Sequence, residues 1–163
     1  MSQTNIQKPE QLVMLMRIIT VAILMGPLLF LFVVLNNSEN QQPQDPSQAY
    51  IAAGFAGLMI FVHFLIRFRP KPSSLPEEFR NENFDPLADE VFMALAPNYQ
   101  VELIIKLALL EGATFFNIIA YQMERQWWTL AIVVLLLVLI AAKFPTISVI
   151  QQWIERQTLY WFE

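Results

Sequence analysis

Four stretches of this chain are apolar for longer than the core of a small soluble domain requires. A helix needs about 20 mostly apolar residues to cross the hydrocarbon of a bilayer. The first stretch runs from about Leu12 to Leu35, with no charge from Ile18 onward. The second runs from Tyr50 to about Ile66, and the third from about Val101 to Tyr121, with Lys106 and Glu111 inside it. The fourth runs from Trp127 to Ala142 and is unbroken aliphatic from Val133 to Ile140. Apolar residues make up 56% of the chain and charged ones 15%, with a mean hydropathy of +0.45. Soluble domains carry about 25% charged residues. The expected fold is all-α: a four-helix transmembrane bundle forming one integral membrane domain over residues 1–163.

The apolar core of the first stretch exceeds the roughly 7–15 residues of a signal-peptide core, and no A-x-A cleavage site follows it. An uncleaved first helix is therefore expected. Asn36-Asn37-Ser38, just beyond it, matches a glycosylation sequon, a pattern short enough to arise by chance.

Charge gives the spans a direction, because Lys and Arg accumulate in short cytoplasmic segments. Lys8 and Arg17 lie before or at the start of the first span, and Arg67, Arg69, Lys71 and Arg80 follow the second. Lys106 lies near the start of the third, and Lys143 and Arg156 follow the fourth. Of the 10 basic residues only Arg125 falls on the other side. Both termini and the connection at about 67–100 are thus expected in the cytoplasm, with the chain in the cell membrane (the inner membrane if the cell is Gram-negative).

Two further helices are expected on the cytoplasmic side. Asp85-Pro86 places a capping residue before a proline suited to the first helical position. Leu87, Val91 and Leu95 then recur at helical spacing, predicting a short amphipathic helix that ends before Pro97. After Pro145, Thr146 can cap a last helix at about 146–162, with Ile147, Ile150, Ile154 and Trp161 on one side. Trp153, Tyr160, Trp161 and Phe162 suit the headgroup region, so this helix is expected to lie in the membrane interface.

Setting the first span over the third, with Ala22 on Ala108, aligns Gly26 with Gly112 and Phe30 with Phe116. The second and fourth spans end alike, in Arg67-Phe68-Arg69-Pro70 and Lys143-Phe144-Pro145. The two hairpins read as a parallel repeat about an axis along the membrane normal. Ala22/Gly26, Ala53/Gly57 and Ala108/Gly112 are small residues one turn apart. Lipid supplies no hydrophobic drive between helices, so such faces are expected at close crossings. Pro27, beside Gly26, is expected to kink the first helix.

Glu111 stands roughly 13 Å along the helix from Glu102, near the bilayer midplane. Ionisable groups at that depth mark functional sites. Thr114, Asn117 and Tyr121 continue from it within one broad sector toward the outer side. Two readings stay open: Glu111 binds and releases a proton that these three residues and water carry onward, or it hydrogen-bonds a neighbouring helix and holds the bundle together. Lys106 stands about 140° away around the helix and has Glu102 as its nearer partner. His63 reads as a hydrogen-bonded core residue.

Without cysteine and with a single histidine, the chain cannot form disulfides, thiol nucleophiles, Cys/His zinc sites or a two-histidine haem site of its own. No cofactor, metal site or catalytic residue is implied, and no acid/base pair follows from the spacing of Glu102, Glu111 and His63. A net charge of −4 and a pI near 5.0 argue against nucleic acid as a partner. The bilayer is the expected partner, with a homo-oligomer or a larger membrane complex left open. The expected role is that of a non-enzymatic structural or accessory subunit; the alternative is a proton- or ion-conducting element centred on Glu111.

The segment Ala108-Leu-Leu-Glu111-Gly112-Ala-Thr-Phe-Phe-Asn117-Ile-Ile-Ala-Tyr121 resembles one that recurs in small four-span bacterial membrane proteins without an assigned function. The segments Ala22-Ile-Leu-Met-Gly26 and Lys143-Phe144-Pro145 are similar to that group too. The resemblance covers about two-thirds of the chain; it implies the four-span layout and no activity. Glu111 also has a weaker likeness to the proton-carrying carboxylate of rotary ATPase proteolipid c subunits. The chain departs from them in lacking a dense glycine motif in its first span. Its hairpin loops are expected outside, where theirs face the cytoplasm.

Overall fold

In the computed structural model, residues 9–37, 45–66 and 88–159 are described, the side chains of 158 and 159 excepted. Those residues are helical throughout apart from turns: α1 Pro9–Asn36, α2 Ser47–Leu65, α3 Asp89–Glu124, α4 Trp127–Ala141 and α5 Ile147–Leu159. Among them, α1, α2 and α3 are long and apolar enough to cross a membrane. α4 is apolar along its whole length but has 15 residues. The sequon, the Asp85-Pro86 cap, the basic residues from Arg67 to Arg80, and Tyr160 to Phe162 lie outside the described residues.

The sequence predicts a break before Pro97, and the structure has none. α3 starts at Asp89 and runs through Pro97, so the expected amphipathic helix and the third apolar stretch form one continuous helix. Proline removes one backbone donor and crowds the carbonyl four residues back, which costs about 3 kcal/mol. The turns on either side offset that cost by burying Val91, Phe92, Leu95 and Ala96 before Pro97, and Tyr99 and Leu103 after it. Pro97 itself is exposed. α1 likewise continues through Pro27.

The chain divides into two compact units, with α1 and α3 contributing to both. The first comprises residues up to Ile18, Arg67–Leu103 and the chain from Pro145 onward. It buries Leu12, Val13 and Met16 of α1 and Ile150 and Ile154 of α5, besides the α3 residues just named. Thr146 caps α5 as expected, its Oγ1 accepting from the Val149 N–H at 3.3 Å. The Arg17 Nε–H donates to the Pro145 carbonyl at 3.2 Å, and the Trp153 indole N–H donates to Glu102 Oε2 at 3.1 Å. Tyr99 packs edge-on against Trp153, with centroids 5.6 Å apart.

The second unit comprises Ile19–Ile66 and Ile104–Phe144. Within it α1 and α3 run side by side in the same direction. Gly26 lies at Glu111 and the Phe30 ring is 5.5 Å from Phe115; Val34 and Ile118 share one cluster with Val133 of α4. α2 runs antiparallel to α3: Ala52 meets Asn117, Phe55 meets Phe116, and His63 meets the Lys106 backbone. α4 buries Thr129, Val133, Leu136 and Ile140 along one stripe.

The expected small-residue faces are only partly used. A Cβ on Gly26 would lie 3.3 Å from Glu111 Oε1, so that glycine does sit at a crossing. Gly57 and Gly112 are exposed, with nothing within 4 Å of such a Cβ, and Ala22 and Ala108 are exposed as well. The buried small residues are Ala49, Ala52 and Ala56 on α2 and Ala113 and Ala120 on α3. The packed face on α2 is therefore displaced by one residue, about 100°, from the Ala53/Gly57 pair. On α3 it is displaced by the same step, from Gly112 to Ala113.

Candidate functional site

The polar residues of the second unit lie mainly along α3, and their partners give them different tasks. Thr114 is fully buried, and its hydroxyl donates to the Leu110 carbonyl one turn back, at 2.7 Å. Asn117 is fully buried too; its amide donates to Ala113 O at 2.9 Å and across to Ala52 O at 3.2 Å. The second of these bonds ties α3 to α2. The Asn117 Oδ1 atom is buried and has no hydrogen-bond partner among the described residues.

Tyr121 is half-buried and carries the Arg125 guanidinium over its ring, 5.4 Å from the centroid. Arg125 ends α3 in the left-handed region, at φ 55°, and its N–H closes on the Tyr121 carbonyl at 2.8 Å. That conformation turns the chain directly into α4.

Glu111 is set apart from this row. Its carboxyl lies over Gly26 of α1, next to the Phe115 ring, and is partly exposed. Among the described residues no hydrogen bond joins it to Thr114, Asn117 or Tyr121. Among the described residues Asn117 points to α2, Glu111 lies against Gly26 of α1, and Thr114 bonds within its own helix.

Glu124 is the residue that the sequence reading missed. It is 4% exposed, and its carboxylate sits on the N-terminus of α2. Oε1 accepts from the Gln48 N–H at 2.6 Å and from Ser47 Oγ at 3.2 Å, while Oε2 accepts from the Ala49 N–H at 2.8 Å. The first turn of a helix carries unpaired N–H groups and a partial positive charge, both of which favour an anion. α2 supplies none: Pro46 precedes it without a capping side chain, and its first turn holds no acid. A bare helix start, brought by hairpin topology to the level of an acid ending the next span, was the available signal.

His63 is 2% exposed, and its Nδ1 lies 3.3 Å from the Lys106 carbonyl. The nitrogen facing a carbonyl must carry the proton, which fixes the tautomer if the ring is neutral. Among the described residues no three His, Asp or Glu side chains gather closely enough to hold a metal ion. Protein-family models, curated proteins and solved structures were all compared with the chain, and none matches it.

Proposed function

We propose that this chain is a four-span membrane protein with a structural or accessory-subunit role, both termini in the cytoplasm, built from two related hairpins. The observation that carries this reading is where the intramembrane polar groups are spent. Asn117 ties α3 to α2, His63 faces the Lys106 backbone, and Glu124 closes the start of α2. These groups hold helices to one another, and among the described residues no hydrogen bond links Glu111 to Thr114, Asn117 or Tyr121. α4, though short, is apolar throughout and lies between Arg125 and Lys143, which supports its reading as the fourth span.

The duplication draws support from the α1–α3 contact. Two helices related by an axis along the membrane normal face each other at equivalent depths. Gly26 lies beside Glu111 and Phe30 beside Phe115, one residue from the pairs that the repeat aligns.

Topology is tested with single cysteines, since the native chain has none. Ser47→Cys should react with an impermeant reagent from outside the cell and Ser73→Cys should not; the reverse pattern refutes the arrangement. The accessory role predicts that the chain, gently solubilised from its own membrane, comes away in fixed stoichiometry with a larger assembly.

A proton-conducting element is the second reading, favoured by the Glu111 carboxyl at the α1–α3 seam, which has no hydrogen bond among the described residues. It predicts proton flux in proteoliposomes that Glu111→Gln abolishes without unfolding the protein. Equal flux in wild type and variant removes it.

A further inference from the structure

We infer that the protein is matched to a thin bilayer, and that its lipid partners are phospholipids with short acyl chains. The inference rests on the four-span reading above and adds the thickness of the layer those spans fit. Counted between a polar residue near each end, with His63 inside the α2 run and Glu111, Asn117 and Gln122 inside the α3 run, the four helices offer nearly the same length. On α1 it runs from Ile18, after Arg17, to Leu35, before Asn36. On α2 it runs from Ala49 to Ile66, before Arg67. On α3 it runs from Leu107, after Lys106, to Met123, before Glu124, and on α4 from Trp127 to Ala142, before Lys143. Sixteen to eighteen residues at 1.5 Å each make about 24–27 Å. The usual hydrocarbon core is about 30 Å thick, and any tilt shortens the span further.

Local structure limits the escape routes. Long basic side chains can snorkel to reach a distant interface, but Arg17 is bonded to the Pro145 carbonyl. At the outer end the Glu124 carboxylate is held by three donors at the start of α2, so neither helix can draw its end deeper without breaking them. Exposed aromatic rings mark the same end: Tyr50 is 65% and Trp127 76% exposed, as suits side chains at the headgroup level. The unit that holds these apolar runs begins at Ile19 and Ile104 and ends at Ile66 and Phe144, at the same residue levels where the runs meet charge. Shortness is therefore a property of the whole unit and not of α4 alone.

The test reconstitutes the full chain into phosphatidylcholine bilayers with monounsaturated chains of fourteen to twenty-two carbons and measures the midpoint of thermal unfolding in each. Mismatch costs a fraction of a kcal/mol per Å. The midpoint should be highest with fourteen- or sixteen-carbon chains and fall by about 5 °C or more toward twenty-two. A flat profile, or a maximum at eighteen carbons or longer, overturns the inference. Labelling Ser47→Cys and Ser73→Cys in native membranes separates the two claims. The expected labelling with a flat profile removes only the thin-bilayer match, and reversed labelling removes the four-span arrangement together with the inference built on it.

Discussion

Glu124 supplies a cap that α2 has no residue of its own to provide, so its removal should be felt at a helix distant in sequence. Glu124→Ala strips three acceptor contacts from the Ser47–Ala49 turn and leaves two backbone donors there without a partner. A cost of about 2–3 kcal/mol is expected, read as a lowered unfolding midpoint in detergent. Glu124→Gln keeps one acceptor oxygen and should recover part of the loss. If alanine behaves like wild type, the cap is not holding α2. Gly26 and Gly112 make the second comparison at this scale. A leucine at Gly26 must displace the Glu111 carboxyl and the Phe115 ring, for about 1–3 kcal/mol. Gly112→Leu meets nothing within the chain and should stay near wild type or gain slightly from helix propensity. The opposite order would place Gly112 in a contact between chains. These two glycines look alike in sequence because each follows a small residue by one turn. Rotation about a membrane helix is what the pattern leaves out: core and lipid are both apolar, so no polar face marks the outside.

Helix ends were more legible than helix faces. The expected stretches at 12–35, 50–66 and 127–142 begin and end within three residues of α1, α2 and α4, because charge and proline change sharply where apolar runs stop, whereas α3 begins twelve residues ahead of the expected 101. α5 was legible for a local reason, the Thr146 hydroxyl reaching the Val149 N–H. Which side of α5 is covered depends on tertiary contacts. Ile150 and Ile154 are buried in the protein, whereas Ile147, assigned to the same side, is exposed. The continuity of α3 through Pro97 was illegible for the same reason, since propensity alone ends a helix there. What fastens α5 is the Trp153–Glu102 bond beside the Tyr99 ring. Trp153→Phe keeps an aromatic ring against Tyr99 and removes the donor to a carboxylate that is 6% exposed. It should cost about 1–3 kcal/mol and raise hydrogen exchange in α5 while leaving α4 unchanged. Unaltered exchange in α5 would mean that Ile150 and Ile154 suffice to hold it.

At the scale of the chain, the ties of the second unit join the first hairpin to the second. Asn117 reaches Ala52, the Lys106 backbone faces His63, Glu124 closes on Ser47 to Ala49, and Glu111 lies over Gly26. Each pairs a residue before position 67 with one after position 103. The two hairpins should therefore recognise each other without a covalent link. Cutting the chain between Ser73 and Ser74 and co-expressing the halves tests this directly. A tag on residues 1–73 should recover residues 74–163 from detergent extracts, because the cut leaves every one of these contacts in place. Severing the link costs only the entropy of bringing two pieces together, which confinement in one membrane reduces. Asn117→Leu removes the amide bonded to the Ala52 carbonyl and inserts a branched side chain where α2 and α3 meet through alanines, so recovery should fall several-fold. Ile119→Leu, on an exposed face of the same helix, should leave recovery unchanged. If the halves do not copurify, or if both variants behave alike, the hairpin-to-hairpin contacts are not what holds the molecule together.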